Sequence, residues 1–327
     1  MENYKCKNTY EKNIKKRFMT VTGIETVDTI GLVDSHTHLW IDTGNIINDS
    51  LSRIDDFQLI KEALIDFKKA GGSLIVDCTP YGCGRDANVL YELSRISGVK
   101  IISVTGFHKQ QYYLKNSILW SISEKQAFKF FLDEIQNGFT EAKGIGSKPG
   151  AIKIAFTGIL KGQYATLSLA AVKASKETGL PVVVHTEKGL NTEQLIDFFK
   201  EHEMDMSRVL LCHMDKNNNS NLHKTLIKKG VYLEYDTFLR PKYNPEDNVI
   251  PLLKDMILSG YAGKILIGSD IDNNTMWKNV GDSGGLGGFF ESIEKKLTDQ
   301  QIKYNNILPL MGFNSFDFFS LKNKEHF

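Results

Sequence analysis

The stretch GLVDSHTHLW, residues 31–40, begins as an apolar run and ends in two imidazoles spaced two positions apart, His36 and His38. On a strand, residues i and i+2 point to one face, so both rings can reach one ion, and neutral imidazole is a common metal ligand. An HxH pair is a weak signal alone, and the rest of the chain must carry the reading. Seven further short apolar runs follow: SLIVDC (73–78), KIISVTG (100–106), AIKIAF (151–156), PVVVHT (181–186), RVLLCH (208–213), VYLEYD (231–236) and KILIGSD (264–270). Segments of helical periodicity lie between them, among them LIKEALIDFKKAG (59–71), LSLAAVKASKETG (167–179) and TEQLIDFFKEH (192–202). Such alternation implies βαβ units and a parallel sheet. Eight runs with seven helical connections and a helical C-terminal tail predict an α/β fold, a closed (β/α)8 TIM barrel. An open doubly wound sheet is the competing fold, but no glycine-rich nucleotide turn follows the first run.

Ahead of the first run, FMTVTGIETVDTI (18–30) reads as a small hairpin with Gly23 at its turn, closing the bottom of the barrel. A polar extension, 1–17, precedes it, and the whole chain, 1–327, reads as one domain. Hydrophobic residues at 41% and charged residues at 24% fit a soluble globular protein without long disorder. A net charge of +1 makes no electrostatic case for a nucleic-acid partner. The start of the chain has no apolar core of signal-peptide type, and no window approaches about 18 consecutive apolar residues, so no membrane association is expected. The four cysteines, Cys6, Cys78, Cys83 and Cys212, form no CxxC pair and read as reduced thiols of a cytoplasmic protein, with Cys78 and Cys83 close enough in sequence to meet at a barrel rim.

Barrel enzymes carry their chemistry at the C-terminal ends of strands. Polar residues interrupt the eight runs there in an orderly way: His36 and His38 on the first, Lys153 on the fourth, His185 on the fifth, His213 on the sixth and Asp270 on the eighth. Four imidazoles, a carboxylate and a lysine exceed what one tetrahedral ion needs and suit two ions bridged by a hydroxide. An ammonium within AIKIAF is costly to bury unpaired. Desolvation is expected to lower its pKa and expose a nucleophilic amine, which carbon dioxide would convert to a bridging carbamate; the plainer alternative is a lysine paired with a buried carboxylate. Cys212, next to His213, is expected to point away from the metals by strand alternation.

TVTGIETVDTIGLVDSHTH, IKIAFTG, VVVHTEKG, LLCHMD and IGSD occur in an order that resembles the phosphotriesterase family of the amidohydrolase superfamily. The resemblance extends from Phe18 to about Phe316. It implies a binuclear centre with His36, His38 and Asp270 on one ion, His185 and His213 on the other, and carbamylated Lys153 with a hydroxide between them. It also implies zinc, or alternatively manganese or cobalt, and a homodimer. Thr37 stands where many members carry Glu, at a position expected to face away from the metals. Two divalent ions lower the pKa of their shared water and polarise the substrate, and Asp270 would orient the hydroxide and accept its proton.

Substrate choice must come from the loops. Lys216 follows the sixth run, Arg240, Lys242 and Tyr243 follow the seventh, and GDSGGLGG (281–288) follows the eighth as a glycine-rich loop opening a helix. Loops after the last two strands commonly bind phosphate in barrels. A lactone-hydrolysing branch of the resembled family has a similar lysine and an RxKY segment and acts on phosphorylated sugar lactones, although IDNNTMW (271–277) lacks the arginine that branch can carry. His108 is placed to line the pocket. Tyr112, Tyr113 and Trp120 are candidates for a lid, a dimer contact or plain packing, while His202, His223 and His326 read as structural or exposed.

The reading is therefore a binuclear metal-dependent lactonase acting on a phosphorylated or otherwise anionic sugar lactone. A phosphotriesterase is the runner-up, and the cations after the sixth and seventh runs weigh against it because a neutral triester gains nothing from them. A metal-dependent deoxyribonuclease on a related barrel would carry a carboxylate at Lys153 and a basic face, and a noncatalytic metal-retaining barrel would not need six ligands.

Overall fold

The structure, a computed structural model, describes residues 15–42 and 53–322, so Cys6 and His326 lie outside the described residues. Strands β1 (Lys16–Thr20) and β2 (Gly23–Val27) pair antiparallel, with Thr20 opposite Gly23. The hairpin therefore begins earlier than the sequence reading placed it and takes in Lys16 and Arg17. Val21 and Thr22 form its tip, and Gly23 is the first residue of β2, with a φ of 107° that favours glycine. The Val21 amide donates to the Ile101 carbonyl at 2.9 Å, and the Phe18 ring meets Phe316 edge-on at 5.1 Å, which plugs the N-terminal end of the barrel.

Eight strands follow: β3 (Leu32–Thr37), β4 (Gly72–Asp77), β5 (Lys100–Gly106), β6 (Ala151–Phe156), β7 (Val182–Thr186), β8 (Val209–Leu211), β9 (Tyr232–Tyr235) and β10 (Ile265–Ile267). They pair in chain order and in parallel. The ring closes just beyond β10, where the Ser269 and Asp270 amides donate to the His36 carbonyl and the His38 amide donates to the Ile271 carbonyl. Helices α1 (Phe57–Lys69), α2 (Ala87–Ser97), α3 (Glu124–Asn137), α4 (Gly162–Thr178), α5 (Thr192–Glu201), α6 (Ser220–Lys228) and α7 (Val249–Leu258) connect the strands. After β10 come α8 (Asn274–Asp282), α9 (Gly285–Asp299), α10 (Tyr304–Leu308) and α11 (Asn314–Phe319). This is the (β/α)8 TIM barrel expected from the alternation of runs. No described helix is long and apolar enough to cross a membrane.

The strands are apolar on both faces because both are buried. Ala151, Val183, Leu210, Tyr232 and Leu266 fill the barrel interior, while Ile152, Ile154, Val182, Val184, Leu211 and Leu233 pack outward against the helices. The last three strands are shorter than their apolar runs. Residues beyond them adopt left-handed backbone, His213 at φ 61° and Asp270 at φ 45°, conformations that L residues rarely hold outside constrained sites.

The segment GDSGGLGG is not the expected loop at the barrel mouth. It is the junction of α8 and α9, with left-handed Gly284 between them. Gly285 and Gly288 line a separate groove with Phe238, Met276 and Phe289. A Cβ on Gly287 would lie 2.4 Å from the Ala70 Cβ, so this glycine permits close approach of α9 to the end of α1 rather than phosphate binding.

Candidate active site

Simple alternation brings two of the nominated side chains into the barrel. Ala151 faces inward and so does Lys153 two residues on; Val183 faces inward and so does His185. β3 needs a different device. Val33 belongs to the interior cluster, and His36, three residues on, would face outward on a regular strand. Between Asp34 and Thr37, β3 has one residue more than β4, a bulge that returns His36 and His38 to the interior. On β8, Leu210 and Cys212 both point inward. The expectation that Cys212 faces away is thus corrected: its sulfur lies beneath the site with Glu234 and His36. His213 reaches the same cavity because its left-handed backbone breaks the alternation.

The six nominated residues line one cavity of about 310 Å³ at the C-terminal end of the barrel. The donor atoms of His36, His38 and Asp270 lie within 4.8 Å of one another, a set able to hold a metal ion. His213 Nε2 is 2.9 Å from His185 Nδ1, and Lys153 Nζ is 3.4 Å from His36 Nε2. Each imidazole spends its other nitrogen on an outer partner. His36 Nδ1 meets Glu234 Oε2 at 2.7 Å, His38 Nδ1 meets Thr79 Oγ1 at 2.7 Å, His213 Nδ1 meets Asp236 Oδ1 at 2.9 Å, and His185 Nε2 meets Glu187 Oε1 at 3.2 Å. One nitrogen per ring is left for the cavity, and outer partners of this kind fix the orientation of metal-binding histidines. The donor set therefore fits a metal centre.

Electrostatics favour the ligating forms of the rings. Burial lowers the pKa of His38 to about 3 and of His185 to about 4, and it holds His36 and His213 well below the ordinary histidine value. Neutral imidazole is the form that binds metal. Asp270 is pushed up by burial, against the pull of Arg240. Lys153 departs from expectation. Burial pushes its ammonium down, but Cys78, Cys212, Glu234 and Asp270 act in the opposite direction, and the balance lies above the ordinary lysine value. Desolvation alone does not free the amine.

A phosphotriesterase-family model matches residues 16–288. The chain belongs to the phosphotriesterase family. It is similar to the phosphotriesterase homology protein of Escherichia coli, with 26% identity over 79% of this chain and 87% of that one. It is also similar to the phospho-furanose lactonase of Mycoplasmopsis synoviae, with 28% identity over 81% and 79% of the two chains. The crystal structure of a lactonase from Listeria monocytogenes shares the fold with a TM-score of 0.86 at 21% identity, covering 94% of this chain and all of that one. The protein is a hydrolase of this family.

The remaining nominated residues of this phosphotriesterase-family hydrolase also reach the cavity: His108, Lys216, Arg240, Lys242 and Tyr243. They do not carry equivalent charges. Arg240 Nη2 lies 2.9 Å from Asp270 Oδ2 and 3.0 Å from Asp272 Oδ2. Lys216 and Lys242 lie over the Tyr243 ring at 5.6 and 5.2 Å, and neither has a carboxylate partner among the described residues. His108 stacks on Tyr112 with centroids 4.8 Å apart and meets His185 edge-on at 4.8 Å. Tyr112 lines the cavity, whereas Tyr113 and Trp120 pack together with Phe107 and Tyr164 behind it.

The sequence reading missed five residues here. Lys109 lines the cavity and pairs with Glu187 at 2.9 Å, and Asp272 holds Arg240. Glu234 and Asp236 had a usable signal: with Tyr232 they alternate on VYLEYD, placing two carboxyls on the inward face of a strand. His223, read as structural, is buried with its Nδ1 2.6 Å from the Tyr235 hydroxyl. His202 instead caps the exposed end of α5.

Proposed function

We propose that the protein hydrolyses a sugar lactone bearing a phosphate or another anionic group, at a binuclear centre of His36, His38, Lys153, His185, His213 and Asp270. The observation that carries this reading is the pairing pattern in the cavity. Lys109 and Arg240 are matched by Glu187, Asp270 and Asp272, which leaves Lys216 and Lys242 beside Tyr243 as cations without carboxylates among the described residues. Similarity to a phospho-furanose lactonase supports the same substrate class. Two divalent ions, zinc being the proposed pair, would supply Lewis acidity toward the lactone carbonyl and positive charge that disfavours the Lys153 ammonium, the condition for its carbamylation.

The chain's own residues do the rest. Lys216 and Lys242, both beside the Tyr243 ring, hold the anionic end and so orient the ring ester toward the histidines. Asp270 accepts the proton of the attacking water and returns it to the ring oxygen as the lactone C–O bond breaks to give the hydroxy acid, a role suited to a carboxyl whose pKa burial raises. Tyr112 and His108 wall the cavity on the β5 side and restrict water. The lining is rich in charged groups, which disfavours a neutral phosphotriester.

The test is the initial hydrolysis rate on matched lactones with and without a terminal phosphate, using metal-loaded enzyme. A preference of about 100-fold in kcat/KM, about 2.7 kcal/mol of transition-state discrimination, is expected for the phosphorylated member and should collapse in Lys216→Met. Equal rates on both would reduce the lysines to a solvated rim, and cleavage of triesters alone would replace the lactone reading.

A further inference from the structure

We propose that Arg240 is a positioning residue for Asp270, itself held by Asp272, and is not a subsite for the substrate's anionic group. This rests on the reading of Asp270 as a ligand and proton acceptor of the metal centre. The Arg240 side chain is mostly buried, and its Nη2 is engaged three times: with Asp270 Oδ2 at 2.9 Å, with Asp272 Oδ2 at 3.0 Å and with the Asp270 carbonyl oxygen. One nitrogen thus holds both the carboxylate and the backbone of Asp270. That backbone is left-handed at φ 45°, a conformation the surroundings must maintain. The other carboxylate oxygen, Oδ1, lies 3.8 Å from His36 Nε2, on the side of the ligand nitrogens. Arg240 therefore fixes which oxygen of Asp270 faces the centre.

Asp272 completes the arrangement. Its Oδ1 accepts from Asn273 Nδ2 at 2.8 Å, so the carboxylate that holds Arg240 is anchored to the segment leading into α8. The charge count points the same way, since one guanidinium is shared between two carboxylates. A dianionic phosphate approaching Nη2 would have to displace Asp270 or Asp272. Lys216 and Lys242 present no such competition. Arginine suits the holding role because its planar, permanently charged group engages several acceptors in fixed directions, which a lysine ammonium cannot reproduce. Its Nε is buried and has no acceptor among the described residues.

The experiment compares Arg240→Met, Arg240→Lys and Asp272→Asn with Lys216→Met, each metal-loaded. kcat and KM are measured on the lactone pair with and without phosphate, and metal release to a chromogenic chelator is followed separately. For Arg240→Met and Asp272→Asn, kcat should fall at least about tenfold by the same factor on both lactones, with KM nearly unchanged. Metal should leave at least about tenfold faster, as for loss of other groups that orient metal ligands. Arg240→Lys should restore only part of either loss. A rise in KM confined to the phosphorylated lactone, with wild-type kcat and wild-type metal release, would overturn the proposal and return Arg240 to the substrate subsite. Asp272→Asn leaves the arginine in place and carries the test if Arg240→Met does not fold. Should the wild type cleave neither lactone, the lactonase reading fails, while the chelator measurement still decides the role of Arg240.

Discussion

Replacing Glu234 with Gln should leave the metal-free protein nearly unchanged and weaken its metal centre. Ser35 Oγ lies 2.7 Å from the Ile267 carbonyl oxygen and 2.6 Å from Glu234 Oε1. A hydroxyl has one proton and a carbonyl has none to give. Ser35 donates to Oε1 of an ionised Glu234, or it donates to Ile267 and accepts from a protonated Glu234, and the two short contacts together favour the protonated form. Burial acts in the same direction, raising its pKa to about 8. Its Oε2 then accepts from His36 Nδ1 at 2.7 Å. Glutamine can make every one of these bonds, its amide nitrogen donating to Ser35 and its oxygen accepting from His36, so metal-free stability should stay within about 1 kcal/mol of wild type.

Metal binding breaks this equivalence. Positive charge next to His36 favours the Glu234 carboxylate over the acid, and the carboxylate strengthens the His36 contact in a way an amide does not. Loss of such a partner typically lowers metal affinity 10–100-fold, or about 1.4–2.7 kcal/mol. A second consequence is a proton count: near pH 7 the wild type should release up to about one more proton per centre filled than Glu234→Gln. Calorimetric titration with zinc in two buffers of different ionisation enthalpy measures both quantities. Equal affinity and equal proton release in the two proteins would refute the hydrogen-bond argument. Glu234→Ala, which leaves the His36 and Ser35 donors without partners, should also lose about 1–3 kcal/mol of folding stability.

Gly287→Ala should cost about 1–3 kcal/mol by overpacking α9 against Ala70, 2.4 Å from the new Cβ, with kcat and KM unchanged in urea-verified folded protein; a KM rise on an anionic substrate would instead restore the phosphate-loop reading. At Gly106 the φ is 103° and a Cβ would lie 2.0 Å from the Lys153 carbonyl oxygen, so Gly106→Ala should displace β6 and reduce bound metal, and wild-type metal content would contradict this. Burial lowers the His223 pKa from 6.5 to about 4, so the unfolded chain takes up this proton first as pH falls. The stability that His223 contributes is complete above pH 6.5 and is lost toward pH 4, up to about 3 kcal/mol. Urea unfolding of metal-free protein at pH 7.5 and 4.5 should show a shallower loss in His223→Gln, and parallel slopes would exclude the effect.

What could be read from the sequence and what could not divide along the range of the interactions involved. Period-2 alternation is local, and it was enough to place Lys153 and His185 on inward faces and to find all eight strands. It did not reach the bulge in β3, which depends on an unequal residue count opposite β4, or the left-handed turn at His213. Regular alternation counted from Val33 would turn His36 outward, and counted back from His213 it turns Cys212 the wrong way; only the paired strand or the backbone conformation explains why. Glu234 and Asp236 were within reach of the same local rule and were passed over, although Asp236 ends its run as His213 ends RVLLCH.

The charges of the cavity lie beyond any local rule. Lys216, Arg240 and Lys242 look alike as loop cations, yet Arg240, after β9, meets Asp270 and Asp272 after the neighbouring β10, while the two lysines meet an aromatic face. Whether a cation is available to a substrate depends on what already neutralises it, and that is settled by contacts between segments distant in the chain. The same cause accounts for Lys153. Its burial was legible from AIKIAF, but the groups that act against desolvation, Cys78, Cys212, Glu234 and Asp270, come from four other strands or the residues just after them, so the direction of its pKa followed from the assembled barrel and reversed the expectation from desolvation alone.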